Sequence, residues 1–201
     1  MRRRKITVSA GFILTVAALY FFDDSGMLLC AIPAIAAHEL GHAAALRLLG
    51  ARPTALRADA AGLYLDYRGG LTAAGEMTAA LAGPAAGLLF AVGLARLGKQ
   101  AGNEYLTCAA GISLVLTVFN LLPALPLDGG RLLYFAAYGL FGRKAAMTAV
   151  RLTGIAISTV MLAAGLFVYG RGFGLAIIPA GLWLLYFQLA NTCKSGRAVV
   201  K

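Results

Sequence analysis

Long apolar stretches separated by short polar segments make up most of the chain. A helix that crosses a bilayer needs about 20 mostly apolar residues. We predict six such helices, over residues of about 6–22, 27–49, 77–97, 105–122, 147–169 and 173–191. A further apolar stretch, 132–141, is too short to span, so we expect it to lie at the interface or to dip in and return. The pattern predicts an all-α integral membrane protein with six transmembrane helices.

The longest polar interval lies between the second and third predicted helices. Within it, Leu63 to Tyr67 alternates apolar and polar side chains, and Gly69 and Gly70 follow. An earlier extended piece, 56–60, is separated from this segment by Ala61 and Gly62. Alternating segments joined by a short turn are typical of a β-hairpin. We expect a small hairpin here and treat 1–201 as one membrane domain.

The composition agrees with membrane insertion. Hydrophobic residues make up 60% of the 201 residues and charged residues 13%, against about 45–50% and 25% in soluble domains. The mean hydropathy is +0.80. These values exclude a disordered chain and argue against a soluble enzyme. The three cysteines form no C-x-x-C pair, which argues against a disulfide framework or a zinc ribbon.

The net charge of +10 is explained by topology. With the N-terminus in the cytoplasm and six crossings, most of the 18 basic residues fall on the cytoplasmic side. Only Arg96, Lys99 and Arg171 fall outside. The prediction is therefore a multi-pass protein of the cell membrane, bacterial in type, with both termini and the hairpin in the cytoplasm. No basic patch studded with aromatic residues is present, so we expect no nucleic-acid partner.

The second predicted helix contains the sequence H-E-x-x-H. His38 and His42 are four residues apart, so they share one helix face and can hold one metal ion. Glu39 can take the proton of an attacking water. These are the only two histidines in the protein, and ionisable groups in an apolar helix mark a functional site by default. The alternative is a histidine pair and a glutamate that only satisfy each other in a helix bundle.

A catalytic zinc takes three protein ligands and leaves a position open. Asp128 is the best candidate for the third, because it follows a stretch broken by Pro123 and Pro126 and precedes Gly129 and Gly130. Irregular backbone at membrane depth is tolerated only when it is buried in protein or lines a polar cavity. The alternative is that Asp128 merely caps the helix that follows.

Four further residues are candidates for substrate contact or for packing. Asn120 precedes the proline-rich break and could hold a substrate carbonyl or the developing oxyanion, or could only bond a neighbouring helix. Gly83 and Gly87 form a small-x-x-x-small face, and Pro84 loosens the helix locally. For this face, helix packing is the favoured interpretation.

Together these pieces resemble the site-2 protease family of intramembrane zinc metalloproteases, peptidase family M50. The resemblance rests on His38 to His42, on Ala82-Gly83-Pro84, and on Asn120 with the run from Leu127 to Gly130. It is nearest to the stage IV sporulation protease branch, which has a six-helix core. We expect neither the inserted PDZ-like domain of some members nor the C-terminal nucleotide-sensing domain of that branch.

The resemblance implies a role for each matching residue. His38, His42 and Asp128 would bind one zinc ion, and Glu39 would activate water. Asn120 and the Gly83-Pro84 region would lie beside the substrate. The hairpin strand that carries Leu63 and Leu65 would offer an edge to which an unwound substrate segment could add.

The sequence thus predicts a zinc-dependent intramembrane endopeptidase with a site open to the cytoplasm. Its substrate would be a membrane-anchored regulatory protein in the lipid bilayer, and a regulatory membrane partner is expected. Two other hypotheses remain: a catalytically idle membrane adaptor of the same fold, and a metal transporter. Zinc is favoured over other divalent ions, although the donor set does not require it.

Overall fold

The computed structural model describes residues 5–10, 26–59, 62–171 and 177–190, with single positions at 13, 17, 21 and 23. The chain divides into two compact units, Met1–Val118 and Phe119–Lys201, and each is described by itself. The elements are, in chain order, β1 (Lys5–Val8), α1 (Met27–Leu48), β2 (Arg52–Asp59), β3 (Gly62–Arg68), α2 (Ala73–Ala101), α3 (Glu104–Asn120), α4 (Asp128–Tyr169) and α5 (Ile177–Ala190).

Helices α1 and α2 pack closely because small residues face each other. A Cβ atom on Gly41 would overlap the Ala82 carbonyl and the Ala86 side chain. Only a glycine therefore allows the two backbones to approach this closely, as is common between helices in lipid. Helix α2 begins cleanly, because the Thr72 hydroxyl accepts a hydrogen bond from the Gly75 amide at 3.1 Å.

The predicted hairpin is present, and it belongs to a larger sheet. Strands β2 and β3 pair antiparallel, with Leu56 opposite Leu65. Strand β1 adds parallel to β2, so the strand order is β1-β2-β3. The Tyr67 phenol on β3 donates a hydrogen bond to the carboxylate of Glu76, a buried residue in the first turn of α2. This bond ties the sheet to the helix that follows it.

The start of the first predicted helix is wrong. Residues 5–8 form strand β1, where the sequence Lys-Ile-Thr-Val places three β-branched residues in a row. Such residues favour a strand when a partner is available, and β2 supplies one. Positions 10, 13, 17 and 21 are helical, whereas the rest of the predicted span lies outside the described residues.

Among the described residues, three helices are long and apolar enough to cross a membrane: Leu28–Leu48, Ala73–Ala101 and Asp128–Tyr169. Helices α3 and α5, with 17 and 14 residues, are apolar but shorter. The arrangement fits a membrane protein. The total of six spans stays a prediction, and residues 172–176 and 191 of the last predicted span lie outside the described residues.

The short apolar stretch at 132–141 is not a separate element. It forms the first part of α4, which continues to Tyr169 with a break at Gly142. Gly142 has φ 77° and ψ 174°, a backbone conformation that favours glycine. The unbroken part after Gly142 is about 40 Å long at 1.5 Å per residue, enough to cross a hydrocarbon core of about 30 Å.

Candidate metal centre

Two imidazoles converge on one turn of α1. His38 and His42 are 4% and 8% exposed, and their Nε2 atoms lie 3.1 Å apart. The rings meet edge to face, with centroids 4.8 Å apart. Two nitrogens bound to one tetrahedral zinc at about 2.0–2.1 Å would lie about 3.4 Å apart. The observed spacing therefore fits a shared metal ion, as the i, i+4 pattern predicts.

A backbone carbonyl of α2 fixes the orientation of His42. The His42 Nδ1–H donates a hydrogen bond to the Ala79 carbonyl at 2.7 Å. Because a carbonyl only accepts, the proton of a neutral imidazole must sit on Nδ1, which leaves the lone pair on Nε2. Metal-binding histidines almost always have such a bond from their other nitrogen. This contact could not be predicted from the sequence, because any residue can supply a backbone carbonyl.

Glycines on α2 make room for both histidines. A Cβ atom on Gly83 would overlap the His42 ring. A Cβ atom on Gly87 would lie 2.6 Å from the Thr117 hydroxyl and 3.8 Å from His38 Nδ1. The buried Pro84 lies between them along the chain. The small-residue face thus packs against the histidine pair itself. The sequence pattern favoured helix packing for this face, and the structure adds that the histidine rings are among the groups packed there.

Glu39 occupies the intervening position on α1. Its side chain is partly buried, and it points about 100° around the helix from that of His38. The carboxylate therefore lies on a neighbouring face of the same turn. That placement suits a group that works beside a metal rather than one that binds it along with both histidines.

Asp128 lies in the second unit as the first residue of α4. It is 8% exposed, and the N-cap position is held by Leu127, which forms no side-chain cap. Asp128 is therefore the first residue inside the helix, and the N-cap position itself belongs to Leu127. A carboxylate in the first helical turn is favoured by the helix dipole, yet burial of a charge demands a strong partner.

The remaining predicted residues are placed as follows. Asn120 is partly buried and is the last residue of α3. Leu63 and Leu65 lie on β3, opposite Ala58 and Leu56 of β2. Since β2 pairs with β1 on its other side, β3 is an outer strand of the sheet that the described residues form.

Three comparisons relate the chain to known proteins. A model of peptidase family M50 matches residues 95–165, a region that contains Asn120 and Asp128. The chain is 30% identical over 188 residues to the candidate zinc metalloprotease Rip3 of Mycobacterium tuberculosis, covering 85% of this chain and 45% of that protein. It is also 30% identical over 191 residues to the candidate zinc metalloprotease sll0528 of a Synechocystis species, covering 81% and 45%.

The fold agrees with these matches. The structure superposes on the site-2 protease from Methanocaldococcus jannaschii with a TM-score of 0.75 and 20% identity, over 100% of this chain and 96% of that one. These matches support the peptidase M50, or site-2 protease, family. The chain spans 45% of the length of each of the two curated relatives named above.

The donor set agrees with the metal named for these relatives. The two imidazoles, from His38 and His42, are donors that suit a single zinc ion. A catalytic zinc site of this kind keeps one position open for water or substrate. Both curated relatives are named as zinc metalloproteases.

Proposed function

We propose that this chain is a zinc-dependent intramembrane endopeptidase. It would cut a membrane-anchored regulatory protein within or near its membrane segment. The observation that carries the proposal is the pair of buried Nε2 atoms, 3.1 Å apart, on one turn of an apolar helix. Buried, converging imidazoles with an adjacent carboxylate are the parts that metal-assisted hydrolysis requires.

The three ligands are proposed to be His38, His42 and Asp128. The two Nε2 atoms already lie 3.1 Å apart, and the Ala79 carbonyl fixes His42 in the tautomer whose Nε2 can bind a metal. Asp128 supplies an anionic oxygen, which a divalent ion prefers to a neutral third donor. Its burial supports the assignment, because a buried carboxylate is stabilised by a cation. A zinc ion held by this set would act as a Lewis acid and allow water to react near neutral pH.

Glu39 is the proposed general base. One position along from His38, its carboxylate can take a proton from the attacking water and later give it to the leaving amine. Asn120 is proposed to hold the substrate carbonyl as charge develops on its oxygen. The Gly83-Pro84 segment would border the same space.

The substrate segment must unwind before it can be cut, because a helix hides its carbonyl groups. The outer strand β3, with Leu63 and Leu65, would receive the unwound segment by main-chain hydrogen bonds. The site would open to the cytoplasm, with six spans and both termini on that side. Within the family, the stage IV sporulation branch is the proposed nearest relative, and a membrane partner would regulate access.

The test compares bound zinc and cleavage in wild type, Glu39→Gln and Asp128→Asn, with the purified chain in liposomes and a panel of single-span substrates. Wild type should bind about one zinc ion and cleave. Glu39→Gln should keep zinc and lose cleavage, whereas Asp128→Asn should lose zinc. Glu76→Gln is the matched control, because it also removes a buried carboxylate. The Glu76 carboxylate accepts a hydrogen bond from Tyr67 and is not a proposed ligand.

Other outcomes would redirect the assignment. If Asp128→Asn keeps zinc and activity, the third ligand is wrong. If wild type binds no metal, the adaptor hypothesis replaces the protease. Zinc uptake into vesicles that survives Glu39→Gln would favour the transporter.

A further inference from the structure

The non-helical segment before Asp128 contains more buried carbonyl groups than its own amides can bond. Residues 121–127 are not helical, and Ala124, Leu125 and Leu127 are buried. In an apolar environment every buried carbonyl needs a donor. Pro123 and Pro126 have no N–H, so the segment cannot satisfy all its carbonyls with its own amides.

Backbone amides satisfy only some of these carbonyls. The Ala124 amide donates to Leu122 at 2.7 Å, the Leu127 amide to Ala124 at 2.9 Å, and the Gly130 amide to Leu127 at 3.1 Å. The carbonyls of Pro123 and Leu125 instead accept from side chains. Their donors come from two other places in the same unit.

The two donors are Thr153 and Gln188. The Thr153 hydroxyl, on the second part of α4, donates to the Pro123 carbonyl at 2.7 Å. Two carbonyls of its own helix lie farther away, at 3.0 and 3.1 Å. The Gln188 amide, on α5, donates to the Leu125 carbonyl at 2.5 Å. The Gln188 side chain is buried, with 6% of its surface exposed.

The helix packing is shaped around the Gln188 side chain. A Cβ atom on Gly154 would lie 2.5 Å from Gln188 Nε2 and 2.6 Å from its Cδ. The carboxamide therefore crosses directly over the backbone of α4, beside Thr153. A polar side chain that reaches through an apolar helix interface to one carbonyl is costly unless the bond is formed.

We propose that Thr153 and Gln188 are positioning residues for Asp128. They fix two alternate carbonyls of the segment that ends at Leu127, and Asp128 follows directly. The other side of the segment is fixed as well, because Gly129 packs on the Leu121 and Leu122 carbonyls so tightly that a Cβ atom would overlap them. The inference rests on the proposed role of Asp128 as a zinc ligand.

The experiment measures zinc affinity of the full chain in detergent, by competition between the protein and a fluorescent chelator. Thr153→Val keeps the shape of the side chain and removes the donor, and Gln188→Leu does the same on α5. Each should weaken zinc binding 10- to 100-fold, the usual effect of losing a group that orients a ligand. Thr153→Ser should restore the affinity, because it restores the hydroxyl.

Ser158→Ala is the matched control. Ser158 is a fully buried hydroxyl on the same helix, but it donates to Gly154 within α4. Its removal should leave zinc affinity unchanged. Amide hydrogen exchange of the zinc-free protein gives a second readout, which needs no metal. The Ala124 and Leu127 amides should exchange faster than in wild type in Thr153→Val and in Gln188→Leu. In Ser158→Ala they should exchange at the wild-type rate.

A double-mutant comparison tests whether the effect passes through Asp128. In an Asp128→Asn background, where only the residual zinc binding by the two histidines is measured at a higher zinc concentration, Thr153→Val should change that affinity by less than about twofold, because the ligand it positions is gone. An equal loss in both backgrounds would overturn the inference. The inference would also be overturned if Thr153→Val and Gln188→Leu both bound zinc with wild-type affinity while Asp128→Asn bound it more weakly. That result would leave the proposed function intact. Wild-type affinity in Asp128→Asn itself would instead overturn the proposed third ligand.

Discussion

Replacing Gly83 by alanine should disturb the proposed metal centre through the His42 ring. The added Cβ atom would lie 2.5 Å from Cε1 and 2.7 Å from Cδ2 of the His42 ring. Carbon atoms in ordinary contact are about 3.5–4.0 Å apart, so the ring would have to retreat by about 1 Å. It cannot retreat freely, because Nδ1 is bonded to the Ala79 carbonyl at 2.7 Å.

The size of the effect follows from these distances. Metal–ligand distances tolerate changes of about 0.2 Å, far less than the required shift. Overpacking of this kind costs about 1–3 kcal/mol. If the zinc-bound state bears this cost, zinc affinity should fall roughly 5- to 140-fold, at 1.4 kcal/mol for each factor of ten. Alanine has a higher helix propensity than glycine, which offsets about 1 kcal/mol of the cost to folding stability. It does not remove the overlap between the new Cβ atom and the His42 ring.

The assay is zinc competition on purified Gly83→Ala, with Gly93→Ala as control. Gly93 is on the same helix, and a Cβ atom there would meet nothing within 4 Å. The control should bind zinc as wild type does. Wild-type zinc affinity in Gly83→Ala would refute the reasoning. Normal zinc binding with a raised KM would show instead that Gly83 acts on the substrate, as its place in the family motif implies.

Three further changes have expected outcomes. A chelator should abolish cleavage, and stoichiometric zinc, but not magnesium, should restore it in a peptidase assay, because imidazole donors suit zinc. Thr72→Ala should destabilise the start of α2 by about 1 kcal/mol in denaturant unfolding, whereas Thr78→Ala, which only loses a bond to Ala74 in its own helix, should not. Gly142→Ala should lower the free energy of unfolding by about 1–2 kcal/mol, because φ at this position is 77°. Thermal unfolding measures the change, and Gly139→Ala is the control, because a Cβ atom there would meet nothing within 4 Å.

Local patterns were the part of this structure that the sequence predicted well. The histidine pair depends only on the i, i+4 geometry of one helix, and the hairpin only on alternation and a nearby turn. Both are present as expected. Hydropathy also located α1 and α2 to within a few residues, because long apolar runs carry the strongest signal.

Features that depend on distant partners were missed. Strand β1 pairs with Ala55 to Ala58, about fifty positions along the chain, so its apolar, β-branched sequence merged with the helix pattern that follows. The bond from His42 to a backbone carbonyl leaves no trace in the identity of Ala79. Gln188 did leave a signal, since an amide in an apolar helix is unusual, but its partner, Leu125, could not be read from the sequence.

The surroundings of His42 suggest a general reason why this site is built from backbone and glycine. A carboxylate would orient the ring more strongly than the Ala79 carbonyl, but it would add another charge to an apolar interior, where ionisable groups are costly. A carbonyl fixes the same tautomer without a charge, provided that the two helices approach closely enough. Gly41 and Gly83 permit that approach, each where a single Cβ atom would prevent it. The candidate metal centre and the close packing of α1 on α2 are therefore one feature, and a substitution that separates the helices should loosen His42 before it unfolds the protein.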